Sequence, residues 1–390
     1  MLSPTTEITQ CSRRINALKE AVQGAKPSVC TERAMIWTRY FKDKENRKKS
    51  PYIRIAEALT EVLKNKSIRI YPDELIVGNY SSKRVGGGIY PELHGVPVIA
   101  EAHLFAKRKT NPLELSNKEL RQLLSIVPFW LPRFLAMKLD TGFVKKLALI
   151  ADQLTAKFYL INELGGVAHI APDYQKLIAV GTEGIAAEAE GYQKDAPLGS
   201  ETWCFYEGVK IIAEGLARFG ERYAGLAREM AAEEKEPKRK AELETIAEVC
   251  QRVPRLGART FHEALQSLFF AQIAVNLESL DNGICPGRID QYLYPYYRTS
   301  LKDPSFSSRQ AKELLAAFSI KMAEIIPVFS KPMMRFHGGM FNGQVVTVGG
   351  VDESGNDAAN ELSDLLLEIM DELRMRQPNF HARVHRSSSE

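Results

Sequence analysis

The chain has no apolar run approaching the roughly 18 uncharged residues that a bilayer-spanning helix needs. Its start, Met1-Leu2-Ser3-Pro4-Thr5-Thr6-Glu7, lacks the basic and apolar regions of a secretory leader. A cytoplasmic protein with no membrane partner is expected. Cysteine is scarce: Cys11, Cys30, Cys204, Cys250 and Cys285 stand far apart, form no CxxC and take no zinc-ligand spacing with histidine. That excludes a zinc module and a disulfide scaffold, and leaves small, reduced, buried thiols as the ordinary expectation. Nor is there a surplus of one charge. The 52 basic and 48 acidic residues are interspersed, so the net +4 gives no concentrated field for nucleic acid. Internal repeats and low-complexity tracts are absent as well, which excludes a solenoid.

What remains is a globular composition. With 390 residues and 45% hydrophobic content, the chain can bury one large α/β core or two or three ordinary ones. Residues 1–50 read as charged helix, with Arg13-Arg14 and the run Lys42 to Lys49, and a more regular helix covers Ile53 to Leu63. Ile68 to Asn79 reads as two short strands around a Pro72-Asp73 turn, followed by a loop from Ser81 to Gly88. Helical spacing recurs from Pro112 to about Glu163 and from Phe205 to Val253, with Glu233 to Lys240 as a solvated linker. Phe261, Ala264, Leu265, Leu268 and Phe269 define one one-faced helix; Leu362, Leu365, Leu366, Ile369, Met370 and Leu373 define another. Both should pack on a sheet. Gln344 to Gly350 is a β-branched run, Val351 to Asn356 a turn, and Phe380 to Val384 a strand that resumes once Pro378 has ended the helix. Strand, helix and strand imply a right-handed parallel crossover.

Four stretches then stand in a telling order. They are Glu32-Arg33-Ala34 with Asp73-Glu74-Leu75-Ile76-Val77-Gly78-Asn79 and Tyr90-Pro91-Glu92-Leu93; Thr260-Phe261-His262-Glu263-Ala264-Leu265-Gln266-Ser267; Pro286-Gly287-Arg288-Ile289-Asp290-Gln291-Tyr292; and Val348-Gly349-Gly350-Val351-Asp352. Together they resemble the pyruvate formate-lyase domain of glycyl radical enzymes, the diol-dehydratase-like branch more than pyruvate formate-lyase proper. The resemblance implies an α/β fold, a ten-stranded barrel of two half-barrels with the site inside. Here it implies the first half only: a helical N-terminal layer over 1–150 and helices with the first barrel half over 151–390.

In that family a glycyl radical sits in an RVxGY-like segment, installed by an S-adenosylmethionine iron-sulfur activating enzyme. It is passed through a cysteine in a Gly-Cys-x-Glu loop to a small-molecule substrate. No other bound cofactor is implied, and a homo-oligomer is expected. Neither segment is present in this chain. Cys285 is followed by Pro286-Gly287, and the other four cysteines do not fit either. Arg84-Val85-Gly86-Gly87-Gly88 begins like the radical segment but precedes Tyr90-Pro91-Glu92, where the family has an ordinary glycine-rich turn. The expectation is an N-terminal half without catalytic residues, inactive alone. It would be a truncated enzyme, a half completed by a C-terminal-half polypeptide, or a ligand-binding scaffold without turnover.

Four residues are candidates for substrate binding. His169, in Gly165-Gly166-Val167-Ala168-His169-Ile170-Ala171-Pro172, resembles the family's Gly-His-x-x-Pro segment. An imidazole there can bond a hydroxyl and help protonate a leaving water, or it is a loop histidine satisfied by backbone. Cys285 stands where the family usually has a hydroxyl-bearing serine, and a thiol is a much weaker donor. His169 and Cys285 are expected to meet inside the barrel. Arg288 and Asp290 either pair with each other to order the turn or face substrate. His381, Arg383 and His385 share one strand face. His94, His103, His262 and His337 show no partner at a telling spacing, and no metal site is expected.

Overall fold

Helical spacing dominates the chain, and the computed structural model, which describes residues 12–134, 137, 141–155, 170–278, 283–335, 338–340 and 342–388, is mostly helix. In chain order the helices are α1 (Arg13–Gln23), α2 (Glu32–Lys42), α3 (Lys44–Lys48), α4 (Pro51–Asn65), α5 (Val96–Ala100), α6 (Asn117–Trp130), α7 (Phe143–Leu154) and α8 (Tyr174–Gln193). They continue with α9 (Glu201–Glu233), α10 (Pro237–Arg252), α11 (Phe261–Glu278), α12 (Ile289–Tyr292), α13 (Tyr294–Ser300), α14 (Ser308–Met322) and α15 (Glu361–Leu373). The strands are β1 (Ser28–Cys30), β2 (Gly86–Gly88), β3 (Val345–Gly349) and β4 (Asn379–Arg383).

α9, capped by the Ser200 hydroxyl accepting from Trp203 N–H at 3.1 Å, packs on α4, α8 and α10. It approaches α4 so closely that a Cβ on Gly215 would lie 2.5 Å from Thr60 Oγ1. α11 is not the one-faced helix its spacing predicts. Fifteen of its eighteen residues are buried, because α4, α8, α9, α10, α13 and α14 surround it. α15 does bury one stripe, Leu362, Leu366, Ile369 and Leu373, but Met370 is 42% exposed and lies off it.

The strands form two parallel arrays. In one, β1 pairs with β2, and single bridges add Glu114 beside Ser28 and Ile325 beside Gly86. In the other, β3 pairs with β4 from Val345–Asn379 to Gly349–Arg383, and a bridge from Val346 to Gly287 extends it. The β3–α15–β4 unit therefore forms in parallel as predicted. Among the described residues nothing pairs with the outer edge of β4, and Val384 just beyond it is 81% exposed.

Three local expectations are corrected. β1 lies in a stretch read as helix. β2 lies in one read as loop, where glycine is required by packing: a Cβ on Gly87 would sit 2.4 Å from Val328 Cγ2 and 2.6 Å from Ile326 O. Ile68 to Asn79 contains no strand, although the turn forms with Asp73 at φ 65°. Its backbone is taken up by side chains instead of a ladder. Gln266 exchanges two hydrogen bonds with Val77 (2.9 and 2.7 Å), Tyr223 OH accepts from Asn79 N–H (2.9 Å), and Asn79 Oδ1 accepts from Arg69 N–H (3.0 Å).

Candidate functional site

Conserving backbone hydrogen bonds in the core forces distant segments together. Beyond α11, Gly283 takes a left-handed conformation (φ 102°) and is followed by Ile284, Cys285 and Pro286 up to Gly287 (φ 70°). Cys285 N–H donates to Ile170 O at 2.8 Å, and Ile170 bridges Ile284 in parallel. On the other side Gly287 N–H donates to Val345 O (3.2 Å) and Thr347 N–H to Gly287 O (2.8 Å). The Cys285 segment thus lies between Ile170 and β3. The half-buried thiol points its S–H at Gly283 O (3.1 Å), with Gly343 O at 3.6 Å.

His169 lies outside the described residues, as do Cys11 and His337 and the side chain of His94. Its chain neighbour Ile170 is the residue that pairs with the Cys285 segment.

Arg288 and Asp290 do not pair with each other. The Arg288 guanidinium donates to Gly349 O (2.7 Å) and Val351 O (3.1 Å). The fully enclosed Asp290 carboxylate accepts from Gly349 N–H (2.7 Å) and the Ser363 hydroxyl (2.7 Å). Both residues therefore clamp the end of β3 to α12 and α15, each through its own partners. His385 Nε2 lies 3.1 Å from Gly350 O and 3.4 Å from Asp357 Oδ1, while His381 and Arg383 are exposed. His262 is held by burial below the ordinary imidazole range, and its Nε2–H donates to Leu75 O (2.9 Å). His103 is exposed.

Behind Cys285 stands a set of buried amides and phenols that sequence reading missed. Gln272 Nε2 donates to Ile284 O and to Gln344 Oε1, both at 2.8 Å, and Gln272 Oε1 accepts from Tyr174 OH. Gln344 Nε2 donates to Met322 O (2.9 Å) and Gln377 Oε1 (3.1 Å), and Tyr292 OH donates to Pro286 O (2.8 Å). Burial pushes the Tyr174 and Tyr292 hydroxyls well above the ordinary phenol range, so both stay neutral donors. The available signal was Gln266, Gln272 and Asn276 inside an otherwise apolar helix, since a buried amide implies a partner.

The motif residues also find one another. Arg33, buried between the rings of Trp37 and Tyr90 (4.3 and 3.8 Å), makes a bidentate pair with Glu92 (2.6 and 3.2 Å). It also donates to Leu277 O (2.6 Å) and Glu278 O (3.0 Å), capping the last turn of α11 that leads into the site. An apolar cavity of about 320 Å³ opens between α4, α8, α9 and α11 on the far side of Tyr174, with Asp173 and Glu278 as its acidic lining. It carries no arrangement for catalysis. Among the described residues no cluster of His, Cys, Asp and Glu can hold a metal, and no helix is long and apolar enough to cross a membrane.

A family model described as pyruvate formate lyase-like matches residues 6–390. An isethionate sulfite-lyase from Desulfovibrio desulfuricans is 31% identical, over 97% of this chain and 47% of its own length. The glycerol-bound B12-independent glycerol dehydratase from Clostridium butyricum superposes with a TM-score of 0.90 at 29% identity, over 99% of this chain and 49% of that one. A glycyl radical enzyme from Archaeoglobus fulgidus gives 0.86 at 33% identity, over 97% and 48%. The chain spans about half the length of the relatives it matches.

Proposed function

The chain belongs to the pyruvate formate lyase-like family of glycyl radical enzymes, and on that premise we propose that it forms the substrate-side half of a dehydratase or lyase barrel. The radical glycine and the thiyl cysteine would be supplied by sequence outside these 390 residues, which contain neither a Gly-Cys-x-Glu nor an RVxGY-like segment. The observation that carries this is the pairing of the Ile170 and Cys285 segments, 115 positions apart, side by side, with the Cys285 segment running on to β3. Pockets are built by such convergence of distant loops.

The thiyl radical of the other half would supply hydrogen abstraction from the substrate; this half would supply binding, orientation and proton handling. The proposed substrate is a small molecule bearing a hydroxyl next to the bond that breaks, as isethionate and glycerol do in the relatives named for them. Cys285 would contact that hydroxyl, and His169 would carry the proton of the departing group. A buried wall suits the chemistry because carbon radicals are quenched by water-borne reductants. Arg288 and Asp290 set the wall's position through the end of β3.

Protection of Cys285 from alkylation by glycerol, 1,2-propanediol or isethionate, read by peptide mass spectrometry, tests this directly. At least one probe should protect, and Cys285→Ser should strengthen binding of that probe several-fold in ligand-observed NMR, since a hydroxyl is the better donor and acceptor. No protection by any of the three, with the chain folded, would contradict a substrate wall at Cys285.

A further inference from the structure

The two walls of the site do not touch through one backbone hydrogen bond alone. We propose that Gln272 is the positioning residue of this site, its single carboxamide locking the Ile170–Tyr174 wall to the Ile284–Cys285 wall.

A carboxamide offers two N–H donors and one oxygen. Ile284 O can only accept, so the Gln272 nitrogen must face it (2.8 Å); its second N–H goes to Gln344 Oε1 (2.8 Å). That leaves the oxygen for Tyr174 O–H, and Tyr174 opens α8 four residues after Ile170. Both donors and the acceptor are thereby used, which fixes the amide's orientation without ambiguity. Gln344 is in turn pinned by Met322 O and Gln377, so the node is anchored to the end of α14 and the approach to β4.

Gln272, Gln344 and Gln377 are all 0% exposed. A buried amide adds nothing over a packed apolar side chain unless its bonds are complete, and a complete network selects one arrangement of the segments it joins. α8, α11, the Cys285 segment and, through Gln344, the approach to β3 all meet at Gln272. Burial keeps Tyr174 a permanent donor, so the clamp holds across the working pH range.

The relevance of the clamp to substrate rests on the function proposed above, but its existence does not, so the test uses no substrate. The Cys285 thiol reports the geometry: its alkylation rate by iodoacetamide, resolved by peptide mapping across a pH series, is compared in the folded wild type, Gln272→Met and Tyr174→Phe. Gln272→Met keeps the volume and removes all three bonds; Tyr174→Phe removes one donor. Leu243→Ala in α10, buried and on a helix that supplies none of the hydrogen bonds of Gln272 or Cys285, serves as a control for general destabilisation.

Cys285 should react about tenfold faster in Gln272→Met and about threefold faster in Tyr174→Phe, the scale of losing one or more net hydrogen bonds. It should be unchanged in Leu243→Ala, even though that variant melts earlier. An unchanged rate in Gln272→Met, or an equal acceleration in Leu243→Ala, would overturn the proposal. Should Gln272→Met fail to fold, Tyr174→Phe decides: a wild-type rate there overturns it equally.

Discussion

Replacing Lys321 with methionine should be one of the most damaging single changes in the molecule, and it should be curable. Lys321 is 2% exposed, with Nζ 2.7 Å from Glu74 and 2.7 Å from Glu324. Arg84 completes the set at 3.0 Å from Glu74 and 3.1 Å from Glu324. Two cations and two carboxyl groups thus meet inside the core, joining the Asp73-Glu74-Leu75 segment, the approach to β2 and the end of α14. Methionine keeps most of the stem's packing but leaves two carboxylates to share one guanidinium. Stranding one charge of a buried pair costs about 3–5 kcal/mol, a large part of an ordinary domain's stability. Burial already pushes the Glu324 carboxyl up to about 7, with Lys321 pulling the other way. Without Lys321 it must rise further. A carboxyl whose folded pKa is raised contributes stability that is present in full below its unfolded value and lost as pH rises through the folded one. The penalty should therefore grow as pH rises past neutrality. Lys321→Met with Glu324→Gln leaves a neutral Arg84–Glu74 pair and should recover most of the loss. Urea unfolding of the wild type, both single variants and the double, on the acid and alkaline sides of neutrality, gives the cycle. A Lys321→Met penalty under about 1 kcal/mol, or strict additivity in the double, would refute the quartet as an electrostatic unit.

Lys66, buried with its ammonium on Asn79 O and Ser67 O, is pulled down from 10.5 to about 8 by burial, so the folded chain sheds its proton first. Between those values the stability difference between wild type and Lys66→Met should rise by about 1.4 kcal/mol per pH unit; a flat difference in urea midpoints would contradict it. Asp290→Ala strands Gly349 N–H and the Ser363 hydroxyl and should cost about 3–5 kcal/mol, whereas Asp290→Asn keeps one acceptor and should cost about 1–2. Equal thermal melts for the two variants would show that the carboxylate does not hold the turn. Anaerobic treatment with an activating enzyme, S-adenosylmethionine and reductant should give no glycyl doublet by electron paramagnetic resonance. A doublet would place a radical where the sequence has no RVxGY-like segment.

How much of this the sequence discloses depends on whether a residue's meaning is local. The β3–α15–β4 unit is legible because Val345 to Val348 is a β-branched run, Asn360 caps a helix with one apolar stripe, and Pro378 stops the return. β1 and β2 are not legible. Three residues each carry no period, and Gly86–Gly88 has no side chains; it is a strand only because Ser28–Cys30 and the 325–328 segment close on it. Ile68 to Asn79 has the composition of strands, yet Gln266, Tyr223 and Glu74 take its backbone groups. At the site, Cys285, Arg288 and Asp290 stand out by pattern, but the partners of Arg288 and Asp290 are the ends of other elements and not each other. Gln272 could not be singled out, because what it does is set by Ile284, Gln344 and Tyr174, the last two lying 72 and 98 positions away.

The chain superposes on about half of each glycyl radical enzyme barrel that it matches, and completion by a second half-barrel is the core of the function proposed above. β4 has an outer edge without a partner among the described residues, and apolar groups stand in the open, Phe143 at 66% and Val144 at 79% exposure. Proteins normally cover or charge such edges, and exposed apolar surface marks partner sites or aggregation. Size-exclusion chromatography with light scattering, across a concentration series and beside an apolar dye, tests this most directly. The isolated chain should self-associate with rising concentration and bind the dye, and a complementary half-barrel polypeptide should suppress both. A monomer at every concentration, melting sharply and binding no dye, would mean that 390 residues close their own core.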